Sequence, residues 1–212
     1  MKLTILATCF LFLAATAGAS SFQVTIDTSP LIGPQTIGFA LTNFDGASNI
    51  VSLSAFDLGS GSAVTGSQDC TLGGSISGAG CSGDLSAGIT LEDVDVLAFF
   101  AQQFNPGASL SFVLNTTNNF SGGVPDEFGM FLCDSSFGTC YSDDSRGAVL
   151  LLDLSGGSIS TSSFVTFAAG VQGLNAPVVT EIIPQVPEPG TLLLLGSGLI
   201  GGLAKRRRRV TC

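Results

Sequence analysis

The sequence predicts a mainly β protein: an antiparallel β-sandwich, jelly-roll-like, with one short helix, set between an N-terminal signal peptide and a short C-terminal transmembrane helix. Three observations predict it. Apolar residues alternate with period two in several short segments, glycine and proline punctuate the gaps between them, and each end of the 212-residue chain pairs an apolar run with basic residues. The expected organisation is a leader at 1–19, an exported body at 20–183 and a tail at 184–212.

The body reads as strands in chain order: Phe22–Ile26, Ile37–Phe44, Ile50–Leu58, Ser109–Leu114, Phe128–Cys133, Val149–Leu154 and Ser163–Ala168. Each is rich in Phe, Val, Ile or Leu and has the alternation of a half-buried strand. Gly33-Pro34, Asp45-Gly46, Gly59-Ser60-Gly61, Asn105-Pro106-Gly107, Gly122-Gly123 and Gly156-Gly157 supply the turns. One stretch departs from period two. Leu91, Val94, Leu97, Ala98, Ala101 and Phe104 recur at helical spacing, so a strand through Ile89–Leu91 is expected to give way to a short helix from about Asp95.

Four cysteines lie in the body, Cys70, Cys81, Cys133 and Cys140. They permit three connectivities. Neighbour pairing, Cys70 with Cys81 and Cys133 with Cys140, is expected because short glycine-rich or turn-like segments separate each pair, and an exported compartment favours oxidation.

At the N-terminus Lys2 precedes the apolar run Leu3–Ala15, and Ala17 and Ala19 stand at the −3 and −1 positions of a signal-peptidase site. At the C-terminus Val186, Pro187, Glu188 and Pro189 precede an apolar stretch, Thr191–Ala204, and then Lys205, Arg206, Arg207, Arg208 and Arg209. A proline pair holds an extended, accessible segment. Fourteen residues as a helix cover about 21 Å, short of the roughly 30 Å hydrocarbon core, which basic snorkelling and bilayer thinning can accommodate. The arginines would stay cytoplasmic and the body would face outward.

This tripartite tail resembles the PEP-CTERM sorting signal of exported bacterial proteins. The resemblance implies exosortase as partner, cleavage near the Pro-Glu-Pro motif, a transient inner-membrane stage and a final place outside the cell or on the surface of a Gram-negative-type bacterium. A permanent anchor is the alternative. The same tail occurs on some ice-binding proteins, but the regular Thr-x-Thr rows that suit an ice-binding face are missing. The body itself resembles the small ectodomains that PEP-CTERM proteins often carry, through Phe22–Ser29 and Leu91–Phe112.

Composition excludes much else. The chain has no histidine, so it has neither Ser-His-Asp nor Cys-His machinery nor imidazole metal ligands of its own. Between residues 20 and 185 fifteen acidic side chains face one basic one, Arg146, a balance of −14 that repels nucleic acid. Aromatic platforms for sugars would have to be phenylalanines, since tryptophan is absent and Tyr141 is the single tyrosine. Asp134, Asp143 and Asp144 form the candidate calcium cluster, set beside a disulfide-closed loop. Asp126 and Glu127 are adjacent, so in a strand their side chains would point to opposite faces, which argues against their acting as a catalytic pair. The expectation is a noncatalytic exported protein with a structural or adhesive role in the extracellular matrix or biofilm. The runners-up are a carbohydrate-binding module, with or without calcium, that takes extracellular polysaccharide, and after it a carboxylate-based hydrolase.

Overall fold

The structure, a computed structural model, describes residues 20–183. The leader, with Ala17 and Ala19, and the tail, with Val186–Pro189 and Lys205–Arg209, lie outside the described residues. Among the described residues twelve strands form two six-stranded antiparallel sheets. In chain order they are β1 (Ser20–Asp27), β2 (Gln35–Thr42), β3 (Ile50–Asp57), β4 (Ser62–Ala63), β5 (Cys81–Asp84), β6 (Gly88–Glu92), β7 (Leu97–Asn105), β8 (Ser109–Thr116), β9 (Asp126–Asp134), β10 (Ala148–Leu154), β11 (Phe164–Thr166) and β12 (Val178–Glu181). One sheet runs β12-β1-β8-β3-β6-β5 and the other β11-β10-β9-β2-β7-β4.

Successive long strands alternate between the sheets. The pairs β3·β6, β2·β7 and β1·β8 are nested one outside the next, and the β9–β10 hairpin completes the second sheet. Strand alternation delivers one face of each sheet to a common core. Phe22 and Phe112 come from the first sheet and Phe39, Phe100, Phe104 and Phe128 from the second, all fully buried. Phe39 is central: its ring meets Phe112 edge-on at 5.5 Å across the sandwich and stacks on Phe128 at 6.2 Å within its own sheet. Burying each such ring contributes about 1.5–3 kcal/mol, with roughly 0.5–1.5 kcal/mol more for a well-oriented aromatic pair.

The expected helix from about Asp95 is instead β7, nine residues long. Its apolar residues do not alternate because both of its faces are covered. Ala98, Phe100, Gln102 and Phe104 point to the core, while Phe99 and Ala101 are buried on the outer face. A strand covered on both sides loses its polar face, and with it the period-two signal. Among the described residues the only helical turns are of 3-10 type, at Thr161–Ser163 and Gly170–Gln172. The expected strand at Ser163–Ala168 contracts to β11; β4 and β5 carry too few apolar residues to be visible in the sequence, and β12 is a four-residue strand that the period-two reading passes over despite Val178 and Val179.

Candidate functional site

Two loops cover the outer face of β7 and β2, and each is closed by a disulfide, Cys70–Cys81 and Cys133–Cys140. Their construction is parallel. An aspartate adjoins the first cysteine of each loop, and its carboxylate winds the following turn. Asp69 Oδ1 accepts from the Thr71 N–H (2.6 Å) and hydroxyl (2.7 Å), and its Oδ2 accepts from the Gly73 N–H (2.7 Å). Asp134 Oδ1 accepts from the Ser136 hydroxyl (2.7 Å) and from the N–H groups of Ser136 and Gly138 (3.0 Å each). Burial alone would raise the Asp69 pKa, but these donors hold it below the ordinary carboxylate range. The Ser136 hydroxyl and Gly138 N–H do the same for Asp134.

Each winding leaves one non-glycine residue in the left-handed region, Leu72 at φ 49° and Phe137 at φ 57°. Such a conformation persists only where surrounding structure enforces it. Phe137 lies directly on Gly38 of β2, where a Cβ would come within 2.8 Å of its ring, and meets Phe99 of β7 edge-on at 5.5 Å. Both loops are fastened to β7. Asp69 exchanges two backbone hydrogen bonds of 2.8 Å with Ala101, and the Gln103 amide donates to the Ser135 carbonyl at 2.8 Å. Between the loops lies a concavity of about 270 Å³ lined by Asp69, Leu72, Gly73, Phe99, Ala101, Ser136 and Phe137. It offers an aromatic wall beside a carboxylate and a hydroxyl.

The other acidic residues fall elsewhere. Asp143 accepts from the Gly170 N–H at 3.3 Å, and Asp144 from the Arg146 N–H at 2.9 Å and its Nε at 3.3 Å. The calcium cluster Asp134, Asp143 and Asp144 is therefore not assembled: each member is engaged with its own neighbours, and among the described residues no three metal-binding side chains converge. Asp126 and Glu127 do point to opposite faces, Glu127 to a 2.8 Å ion pair with Arg146 and Asp126 to the interior.

Sequence reading missed what Asp126 does there. It meets Asp93 and Asn49 at one end of the core, all three buried. Asp126 accepts from the Phe44 N–H (2.7 Å), the Asp45 N–H (3.2 Å) and the Asn49 amide (2.8 Å). Asp93 accepts from the Asn49 N–H at 2.7 Å. Burial, and then the neighbouring Asp126, push the Asp93 pKa up to about 6. Burial acts on Asp126 too, but its three donors outweigh it and lower its pKa. Below about pH 6 the proton of the pair therefore resides on Asp93. Adjacency to apolar residues could have flagged these acids as buried; nothing local indicates that they meet.

One family model matches the chain, that of the PEP-CTERM protein-sorting motif, over residues 185–209. The chain thus carries a PEP-CTERM signal on a two-sheet β-sandwich with two disulfides, and it is a sorted, exported protein whose signal implies recognition by exosortase. No curated protein and no solved structure matches it.

Proposed function

We propose that this chain is a noncatalytic component of the cell surface or extracellular matrix of a Gram-negative-type bacterium, delivered by its tail and serving a structural or adhesive role. The observation that carries the reading is the sorting motif at residues 185–209. A body closed by two disulfides suits an oxidising exterior. Signal peptidase would release the body after Ala19, and exosortase would act near Pro187-Glu188-Pro189. Intact mass of the protein recovered from the cell exterior tests the delivery: loss of Lys205–Cys212 is expected, and a species that retains them would favour a permanent anchor.

A second reading is that the cleft between the disulfide loops holds a sugar ring of an extracellular polysaccharide. The Phe137 ring beside Asp69 and Ser136 favours it, because sugars present an apolar face to aromatics and hydroxyls to carboxylates. Retention of the protein on its host's own exopolysaccharide, with and without calcium, tests this. Retention that survives both Phe137→Ala and Asp69→Asn would remove the cleft from consideration.

A further inference from the structure

The end of the sandwich that holds Asp93 and Asp126 is formed by the loops 43–49, 93–96 and 117–125, and these loops are hydrogen-bonded to one another. The Asn43 N–H donates to the Val96 carbonyl at 2.9 Å, Ser121 N–H donates to Asp45 Oδ2 at 2.8 Å, and the Asn49 amide donates to the Asn119 carbonyl at 3.0 Å. This firm plate carries apolar tips. Phe44 is 55% exposed, Val94 61%, Val96 73%, Phe120 41% and Val124 62%. Toward the opposite end, among the described residues, the comparable side chains are Ile32 in the β1–β2 connection and Val178 at the start of β12. Scattered exposed apolar residues are ordinary, whereas five on three interlocked loops at one pole form a patch that marks an interaction surface.

The position of the chain exit identifies what covers it. β12 runs antiparallel to β1 and the Ile182 N–H donates to the Ser21 carbonyl at 2.8 Å, so the polypeptide leaves the sandwich at this same end. Only residues 184–190 then separate Ile183 from the apolar stretch that begins at Thr191. Fully extended, they reach about 25 Å. Resting on the reading of that stretch as a membrane segment, we propose that this pole is a membrane-facing surface: while the tail is inserted, the Phe44, Val94, Val96, Phe120 and Val124 tips rest in the interfacial layer of the outer leaflet and orient the body on the membrane. Bulky apolar side chains on rigid loops gain free energy at the headgroup–acyl boundary without ordering cost. The body's single basic residue, Arg146, leaves it little attraction to anionic lipid, so the surface addressed is a zwitterionic one.

The chain has no tryptophan, so single tryptophans report without background. The exported chain, tail included, is reconstituted into dioleoylphosphatidylcholine vesicles as Phe44→Trp, Val96→Trp, Phe120→Trp and, at the opposite pole, Ile32→Trp. The three tip variants are expected to show blue-shifted emission and quenching by brominated phosphatidylcholine, with Ile32→Trp remaining at the emission of water-exposed indole and unquenched. Vesicle flotation reads the tail separately. A chain that floats while its tip tryptophans are quenched no more than Ile32→Trp overturns the membrane-facing pole alone; a chain that does not float overturns both the pole and the membrane reading of the tail.

Discussion

Asp93, which follows β6 in one sheet, and Asp126, which opens β9 in the other, form a buried hydrogen-bonded carboxyl pair that clips the two sheets together. Each carboxylate disfavours ionisation of the other in so small a desolvated space, so the pair holds one proton until pH rises through about 6. Its two members respond to pH in opposite directions.

Stability should therefore be greatest between the two titrations. The Asp93 pKa is raised from 3.8 to about 6, so its contribution is complete below 3.8 and is lost as pH rises through about 6. The Asp126 pKa is lowered, so its contribution is present above 3.8 and is lost as pH falls through its depressed folded value. Melting temperature measured from acid to mildly alkaline pH should peak between these limits. Asp93→Asn keeps an acceptor for the Asn49 N–H and donates permanently to Asp126, so it should flatten the alkaline decline; a decline as steep as in the parent protein would refute the assignment.

Asn49 uses all of its hydrogen-bonding capacity. Its amide donates to Asn119 and Asp126, and its oxygen accepts from the Asn119 N–H at 2.8 Å and from the Thr117 hydroxyl at 3.2 Å. Asn49→Ala should cost about 2–4 kcal/mol in denaturant unfolding, because it leaves buried partners unsatisfied, one of them a charged carboxylate. A loss under about 1 kcal/mol would mean that water replaces the amide.

Gly38 and Phe137 should be energetically coupled. A methyl group at Gly38 would fall 2.8 Å from the Phe137 ring, so Gly38→Ala should displace the ring and cost about 1–3 kcal/mol by overpacking. In a Phe137→Ala background the same substitution should cost much less. A double-mutant cycle with no coupling would show that the ring does not rest on β2 in solution.

Each disulfide closes a short loop, with separations of 11 and 7 residues, so replacing either pair by serine should cost about 2–3 kcal/mol on the loop-entropy account. The Cys133–Cys140 loop also carries Phe137, so its removal should additionally expose Phe99 to solvent. Limited proteolysis of the two double variants should find new cleavage within 134–139 for that pair; equal resistance to the parent would count against the loop's dependence on the bond.

Strands covered on one face were legible in the sequence. β8 alternates buried and half-buried residues along its whole length, and its pattern identifies it without any neighbour. β7 was not legible, because the disulfide loops that hide Phe99 and Ala101 come from residues about 30 positions away on either side, and no local period records a cover that arrives from elsewhere. The cleft failed to show for the same reason: Asp69 and Ser136 are unremarkable polar residues until two loops bring them to one face.

Residue order alone carries the sorting signal and the disulfide pairing. A sorting tail is read as a linear string, and a disulfide between cysteines 11 or 7 residues apart is nearly a local event. Which acids are buried and which end carries exposed apolar tips emerges only from the fold. Asp126 reaches Asn49 across 77 residues, Asn49 reaches Asp93 across 44, and the exposed tips come from three separate loops. Those contacts exist because antiparallel strands alternating between two sheets return distant loops to the same end, a consequence of topology that residue order encodes only through the whole fold.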